Sequence, residues 1–293
     1  MGRSLQGPER LSVVVGVVVA VVVVGGVLVP AFSEGDPTSP ATIPTPEGAP
    51  AQVGSPPSYG SQGRPPAPEH VIGPDGRVRV DPTTDYPSRA VGHLIIRVNG
   101  RRQECSGSLV GPRTVLTAAH CIFQNGRLAG RGSYIPAENA GIRPYQDTCP
   151  ITGFFILPAY ADGEADDDDI GAVRLGAPCA NLGHTTGWFG VVGGVDWTDE
   201  TIYLRGYPGD KPEGTMWLSE GTISRTAAQY IRHNADHTQG TSGAGIYCLY
   251  DPPGSLPYGH YISAVVASGN FLRNIGARIT RARTATIADW KSR

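Results

Sequence analysis

The chain has 293 residues, 40% of them hydrophobic and 17% charged, so it is long enough to bury the core of one large domain or two small lobes. A formal net charge of -2 gives it neither a basic surface nor a polyanionic tail, and the composition therefore excludes a nucleic-acid partner held by charge.

Residues 1–33 have the composition of an export segment. Arg3 and Arg10 precede Leu11–Val29, a run of nineteen residues that is mostly valine and carries no charge. Small residues beyond the run fit a signal-peptide cleavage site, whereas its length fits a membrane anchor, since a spanning helix needs about 20 residues and a signal-peptide core about 7–15. We expect a cleaved signal, with an anchor through residues 11–29 as the alternative. Either way, the protein is expected to be secreted or held at the extracellular face of the cell envelope.

Residues 34–70 differ sharply in composition from the rest of the chain. Proline supplies ten of the forty residues in Ala31–His70, and large apolar side chains are few. A segment with so little apolar surface to bury does not offset the entropy lost on ordering. We predict a disordered spacer or propeptide, the alternative being an extended arm packed on the following domain.

Residues 71–293 carry the signals of compact β structure. Short runs rich in β-branched residues are separated by Gly, Pro, Asn or Asp, and they include VGHLIIRV, TVLTAA, IGAVRL and YISAVVAS. Helical periodicity is nearly absent until TRARTATIADWKSR at the end of the sequence. Many short strands without alternating helices predict an antiparallel barrel or sandwich.

Five cysteines in an exported chain indicate disulfide bonds with one thiol left over. Cys105 and Cys121 enclose a segment that can fold back as a hairpin, and their bond would hold the histidine just before the second cysteine. Cys149 and Cys179 flank the run IGAVRL and have no closer partners. We predict these two bonds and a buried strand thiol at Cys248.

Two motifs carry a family resemblance. CSGSLVGPRTVLTAAHC resembles the segment of chymotrypsin-like serine proteases in which a disulfide loop ends on the catalytic histidine, here His120, and QGTSGAG resembles the segment that carries their nucleophile, here Ser242. VIGPDGRVRV, TTDYPSRAVG, GYPGDKPEGTMW and ARIT are similar to segments of the bacterial glutamyl endopeptidase branch. The resemblance spans Val71–Arg293. It implies an all-β fold of two antiparallel six-stranded barrels, with the active site between them and a short C-terminal helix.

An acid between His120 and Ser242 would complete the triad of this family. The family's aspartate directly precedes a strand of the pattern D, apolar, small, apolar, apolar, and Asp169 before IGAVRL has this register. Asp168 is the alternative if the register slips by one residue. We interpret Asp166–Asp168 as a solvated acidic turn and not as a calcium site, because no other ligand pattern accompanies it.

These residue types fit acyl transfer to water. A serine hydroxyl is a poor nucleophile near neutral pH, and His120 can take and return its proton while Asp169 fixes the histidine tautomer. The amides of Gly240 and Ser242 would form an oxyanion hole. We expect a monomeric serine endopeptidase that acts on protein or peptide substrates and needs no metal or other cofactor.

Three other protein classes are alternatives. An α/β-hydrolase needs G-x-S-x-G, which Ala244 breaks, and an acid and then a histidine after the serine, where only His260 follows. A zinc protease built on His233 and His237 lacks the glutamate of its motif, because Asn234 occupies that position. A catalytically inactive binding module at the cell envelope would require a lost triad residue, and all three candidates are present.

The residue preferred before the cleaved bond stays open among three alternatives. Asp236 lies six residues before the nucleophile, where trypsin-like enzymes place the aspartate that binds Arg or Lys, and His237 can counter its charge. Glutamate-cleaving members use a histidine on a late strand. Matching SAVVASGN to that strand places Val266 at or next to this position, with Ser268 and Gly269 after it as further substrate-binding candidates. A small or apolar preference is the third alternative.

The resemblance also predicts where the chain is processed. In the glutamyl endopeptidase branch the mature chain begins at or close to the residue that matches Val71, after removal of a prosegment. Typical animal members carry an aspartate immediately before the nucleophile, which pairs with the new N-terminus, whereas this chain has Thr241. We expect cleavage near His70–Val71 and activation that does not use that ion pair.

Overall fold

A computed structural model describes residues 71–252, 257–270 and 273–293, with only the backbone described at Asn270. The predictions for residues 1–33 and 34–70 concern segments outside these residues. Within the described residues no helix combines the length and the apolar character needed to cross a bilayer.

Short strands dominate the regular structure of the described residues. In chain order they are β1 (Val78–Arg79), β2 (Val91–Val98), β3 (Arg101–Leu109), β4 (Thr114–Thr117), β5 (Phe123–Gln124), β6 (Arg127–Leu128), β7 (Arg131–Pro136), β8 (Cys149–Ile156), β9 (Gly171–Leu175), β10 (Gly190–Val191), β11 (Thr201–Gly206), β12 (Trp217–Thr226), β13 (Tyr230–His233), β14 (Gly245–Tyr250), β15 (Gly259–Asn270) and β16 (Arg273–Arg278). The α-helices are α1 (Ala119–Ile122), α2 (Pro158–Gly163), α3 (Leu182–Thr186) and α4 (Arg281–Ser292), and 3-10 turns cover Ser88–Ala90 and Asp166–Asp168.

The first barrel closes in the order β2, β3, β4, β9, β8, β7, with every neighbouring pair antiparallel. Residues of alternate positions on β2, among them Leu94, Ile96 and Val98, are fully buried. They pack in one core with Leu116 of β4 and Val173 of β9. Burial of these branched side chains favours the closed sheet, since each contributes roughly 1.5–3 kcal/mol when removed from water.

The second barrel has the order β12, β11, β14, β15, β16, β13 and closes through the pairing of β12 with β13. A second core fills it with buried apolar side chains from Trp197, Ile202, Ile223, Ile231, Ile246 and Val266. β1 adds to β12 at the edge, and β10 lies parallel to β15. The two closed antiparallel barrels confirm the predicted fold class.

The C-terminal helix α4 is the longest helix of the described residues and closes the fold against the first barrel. Thr280 caps it by accepting a hydrogen bond from the N–H of Arg283. Ile287 and Trp290 are buried, and the ring of Trp290 stacks on Phe155 of β8 with 6.2 Å between centroids. The terminal segment therefore ties the end of the chain back to its first half.

Two disulfide bonds each join a strand to a later part of the chain. Cys105 on β3 is bonded to Cys121 in α1, and Cys149 at the start of β8 is bonded to Cys179. Cys248 on β14 is a buried free thiol whose pKa burial raises to about 12. A thiol that stays protonated in an apolar core is unreactive, so Cys248 fits a packing role.

Candidate active site

His120 and Asp169 are in direct contact through two groups. His120 lies in the short helix α1, which begins just after β4 ends, and Asp169 ends the 3-10 turn before β9. The His120 backbone N–H donates to Asp169 Oδ1 at 2.8 Å, and Nδ1 of the ring lies 2.6 Å from Asp169 Oδ2. Asp169 is only 2% exposed, so little water competes with the histidine for its oxygens. The structure thus pairs His120 with Asp169 and not with Asp168.

The turn that carries Ser242 packs against the same part of the first barrel. The N–H of Ser106 on β3 donates to the Ser242 carbonyl at 2.8 Å, and Sγ of the bonded Cys121 lies 3.8 Å from this oxygen. Gly243 adopts φ +84°, and a Cβ there would approach the carbonyl oxygen of Ser106 to 2.5 Å. Only glycine fits this left-handed and crowded position, which brings the serine turn up to the residue that follows His120.

Gly240 is held in a conformation that few other residues adopt. Its φ is +95°, and an added Cβ would lie 2.5 Å from the carbonyl oxygen of Tyr207. The hydroxyl of Ser106 donates to the Gly240 carbonyl at 2.8 Å and accepts from the Tyr207 N–H at 2.9 Å. Because the Gly240 carbonyl is engaged by Ser106, the peptide plane between Gly240 and Thr241 is fixed, and the N–H of Gly209 holds the carbonyl of the preceding peptide at Gln239. Ser106 is a supporting residue that the sequence motifs did not single out.

Asp236 is buried and engaged by backbone hydrogen bonds. It is 6% exposed, and both carboxylate oxygens accept backbone hydrogen bonds, from the N–H of Ile72 at 2.8 Å and of Gly76 at 3.0 Å. Binding of Arg or Lys by Asp236 stays one of the three predicted alternatives, and two backbone N–H groups already engage its carboxylate. The carboxylate anchors the segment that directly follows the expected processing site.

His233, at the end of β13, and His237, next to Asp236 in the sequence, form a buried pair. Both side chains are almost completely inaccessible, and their ring centroids are 5.5 Å apart. Burial, reinforced by the neighbouring His237, holds the pKa of His233 well below its usual value. A lowered pKa favours the neutral form of the His233 ring.

The candidate substrate strand β15 lies directly against the serine turn. The N–H of Gly243 donates to the carbonyl of Val266 at 2.9 Å, and the Val266 side chain is fully buried in the second core. Ser268 donates its hydroxyl to Asp166 at 2.9 Å, and a Cβ at Gly269 would lie 2.1 Å from Asn274 Oδ1. Val266 and Gly269 therefore pack inside the fold, and the substrate-binding role predicted for Val266, Ser268 and Gly269 stays a prediction.

The acidic run contains structural pairs as well as the histidine partner. Asp166 accepts from Ser268 on β15, and Asp168 forms an ion pair with Arg283 on α4. Partial burial, together with the charge of Asp168, raises the pKa of Asp167. Asp166 is exposed and Asp167 and Asp168 are half-buried, so the run is a partly solvated turn in which Asp166 and Asp168 also bind partners from distant parts of the sequence.

The described residues bring few potential metal ligands together. The one group of three or more such residues found among them is Cys105, His120 and Cys121. The two cysteines are bonded to each other, so neither can supply the thiolate that zinc binds. The donor set therefore does not fit a metal centre.

Comparisons with known proteins identify the family and the fold of the chain. Residues 78–250 match the family model described as Trypsin. The chain is 31% identical to a glutamyl endopeptidase of Bacillus licheniformis over 76% of this chain and 69% of the relative, and 29% identical to a Bacillus subtilis protein named extracellular metalloprotease over 76% and 70%. Among solved structures, a Glu endopeptidase in complex with MPD superposes with a TM-score of 0.66 at 25% identity, covering 76% of this chain and all of the other.

Proposed function

The chain belongs to the trypsin family and is a serine endopeptidase, and we propose that it cleaves peptide bonds through a triad of Ser242, His120 and Asp169. The observation that carries the proposal is the double contact of Asp169 with His120, at 2.8 Å to the backbone N–H and 2.6 Å to Nδ1. A carboxylate at Nδ1 keeps the proton on that nitrogen and leaves Nε2 as the base.

The reaction follows from these positions. Ser242 Oγ attacks the peptide carbonyl, its proton passes to Nε2 of His120, and Asp169 stabilises the imidazolium as it forms. The carbonyl oxygen becomes an oxyanion that accepts hydrogen bonds from the backbone N–H groups of Gly240 and Ser242. When the C–N bond breaks, His120 gives its proton to the leaving amine. Water then repeats the sequence on the acyl-enzyme and releases the acid product and free Ser242.

The proposed substrates are proteins or peptides met outside the cytoplasm. Support comes from the two disulfide bonds, since such bonds persist in oxidising compartments, and from the name of the Bacillus subtilis relative as an extracellular protein. That relative is also named a metalloprotease. Because the cysteines beside His120 are bonded to each other, we propose metal-independent catalysis for this chain.

For the residue before the cleaved bond we propose glutamate. Two of the matched proteins are named glutamyl endopeptidase and Glu endopeptidase, and the carboxylate of Asp236 is engaged by the amides of Ile72 and Gly76. A carboxylate already satisfied by two N–H groups has less attraction for a substrate cation. Comparing kcat/KM on matched peptides with Glu, Arg or Ala before the cut tests this preference, and faster cleavage after Arg would overturn it.

The triad is tested by covalent labelling of the secreted enzyme with a fluorophosphonate probe. The probe is expected to label the wild type at Ser242 and to leave Ser242→Ala unlabelled. Equal labelling of both proteins would assign the nucleophile elsewhere. A folded wild-type protein without labelling or peptidase activity would favour an inactive binding module.

A further inference from the structure

Arg77, in the N-terminal segment of the described domain, has a buried guanidinium that contacts the loop preceding Ser242. Residues 238–242 are called the oxyanion loop. We propose that Arg77 is a positioning residue for the oxyanion hole, and that it acts on this loop through Thr238, the first residue of the loop, and through Asp210 in the turn after β11. This inference rests on the proposed triad and oxyanion hole. It assigns to Arg77 an effect on transition-state binding without any contact with the substrate.

The guanidinium of Arg77 is almost fully buried and fully engaged. Its side chain is 2% exposed and forms a two-point ion pair with Asp75, with both N–O distances at 2.9 Å. Its other contacts reach Asp210 at 2.9 and 2.5 Å and the Thr238 hydroxyl at 2.9 Å. Burial disfavours the charged form, but the hydrogen bonds to Asp75 and Asp210 outweigh it and hold the pKa of Arg77 above its usual value. Because the planar guanidinium of Arg77 is bonded to Asp75, Asp210 and Thr238, it holds these three residues in a fixed geometry.

Thr238 and Asp210 also bond to each other, which closes the cluster. The Thr238 hydroxyl donates to Asp210 Oδ1 at 2.5 Å while Arg77 donates to both residues. Arg77 therefore fastens two loops at one point: the turn after β11, which contains Asp210, and the start of the oxyanion loop. Removal of either partner would leave a buried charge or hydroxyl without its bond.

Backbone contacts carry this position on to Gly240. The N–H of Gly209 donates to the carbonyl of Gln239 at 2.6 Å, and the N–H of Thr241 donates to the carbonyl of Thr238 at 2.9 Å. Gly240 itself lies against the carbonyl of Tyr207 in the left-handed conformation. The turn fastened by Arg77 is thus the surface on which Gly240 rests. A shift of this turn would move the Gly240 N–H away from the oxyanion.

The segment that delivers Arg77 is anchored close to its beginning. Asp236, two residues before Thr238, binds the amides of Ile72 and Gly76, and Lys211 reaches Asp75 at 2.8 Å. Segment 71–77 and the oxyanion loop are consequently ordered together. Typical animal members pair an aspartate before the nucleophile with the new N-terminus. This chain has the neutral Thr241 there, and the cation that contacts the oxyanion loop is the side chain of Arg77.

The test compares a matched pair of inhibitors that differ at one atom group. A peptide aldehyde forms a hemiacetal with Ser242 whose oxyanion occupies the hole, whereas the corresponding peptide alcohol binds the same subsites without forming an oxyanion. The variants are Arg77→Met and Thr238→Val, with Arg79→Met as the control, because Arg79 is a more exposed arginine on β1 that contacts Asn139. Near-UV circular dichroism verifies the fold of each purified mature enzyme.

We expect the aldehyde to bind both variants about 100-fold more weakly than wild type, the effect of a displacement of roughly 1 Å in a catalytic geometry. Alcohol binding and KM are expected to stay unchanged, kcat to fall in parallel with aldehyde binding, and Arg79→Met to behave as wild type. Thr238→Ser should restore the aldehyde affinity because it keeps the hydroxyl.

Equal weakening of aldehyde and alcohol, or wild-type aldehyde binding in Thr238→Val, would overturn the role of Arg77. Thr238→Val decides the question if Arg77→Met does not fold. Fluorophosphonate labelling of the wild type separates this failure from failure of the proposed function. A labelled wild type with unaffected variants removes only the positioning role, whereas an unlabelled wild type removes the triad on which it rests.

Discussion

One carboxylate fixes both the backbone and the ring of the same histidine: Asp169 accepts from the His120 N–H through Oδ1 and contacts Nδ1 through Oδ2. The orientation of the ring is therefore set before any substrate arrives. Pre-organisation of this kind lets a proton move in the transition state without a prior rearrangement.

The first prediction concerns the tautomer of His120. Asp169→Asn keeps an oxygen for the backbone N–H but offers an amide where the ring needs an acceptor, so kcat is expected to fall about 10⁴-fold with the fold intact. His120→Ala and Ser242→Ala should lower kcat by at least as much. Steady-state kinetics on a chromogenic peptide measures the loss. Asp167→Asn is the matched control, and an equal loss there would mean that the charge of the run matters and not the contact.

A second prediction concerns the shape of the oxyanion loop. Gly240→Ala introduces a Cβ 2.5 Å from the Tyr207 carbonyl at a φ of +95°, so the peptide must rotate away. We expect kcat to fall about 10²–10³-fold, the effect of losing one oxyanion donor, with a smaller change in KM. Gly130→Ala is the control, because nothing lies within 4 Å of the added Cβ. Unchanged kcat in Gly240→Ala would remove Gly240 from the hole.

A third prediction separates a structural Asp236 from a specificity residue. Asp236→Ser removes the acceptors for the amides of Ile72 and Gly76, and we expect the free energy of unfolding to fall by about 1–3 kcal/mol. The ratio of kcat/KM for Arg over Ala before the cut is expected to stay at its wild-type value. A collapse of that ratio with unchanged stability would restore the trypsin-like assignment.

The fourth prediction is a pH dependence of stability. The hydrogen bond from Arg77 holds the pKa of Asp75 far below its usual value, and the same guanidinium lowers the pKa of Asp210. A carboxyl whose pKa is lowered in the folded state stabilises it above the unfolded pKa of about 4, and this contribution disappears as the pH falls towards the folded pKa.

Urea unfolding of the wild type should therefore show a declining free energy as the pH is lowered from 5 to about 2.5. Asp75→Asn should lose less stability than wild type over the same interval, because its side chain does not titrate. Parallel curves for the two proteins would exclude Asp75 as a source of the acid sensitivity.

A fifth prediction places the N-terminus of the active enzyme near Val71. Asp236 and Arg77 hold residues that directly follow the expected cleavage at His70–Val71, so a mature chain that begins there keeps every described contact of this segment. N-terminal sequencing of active secreted material should read VIGP or start within a few residues of it. A fully active protein that starts near Glu34 would argue against an inhibitory prosegment.

The sequence predicted those features that depend on local patterns. Short β-branched runs between turn residues predict antiparallel β structure, which the fold confirms. The two closed barrels and the preference for Asp169 over Asp168 come from the resemblance to chymotrypsin-like serine proteases and not from these local patterns alone.

The contacts of Asp236 and Ser106 with distant segments were not predicted from the sequence. Asp236 fits the spacing of a specificity aspartate, yet its partners Ile72 and Gly76 lie more than 150 residues away, at separations of 164 and 160. Ser106 reads as an ordinary strand residue, although its hydroxyl joins Gly240 to Tyr207. No local pattern distinguishes such a serine or aspartate, since its role is set by what the fold brings beside it.

The acidic run has a further consequence because its residues have different partners. Asp169 binds His120 in the first barrel, Asp168 binds Arg283 on α4, and Asp166 binds Ser268 in the second barrel. The run of four consecutive aspartates thus connects the first barrel, helix α4 and the second barrel at a fixed spacing along the chain. Deleting one aspartate would leave the composition almost unchanged, yet the run could no longer contact His120, Arg283 and Ser268 at the same time. We therefore expect the protein to tolerate a substitution at Asp167 far better than an insertion or deletion that changes the length of this run.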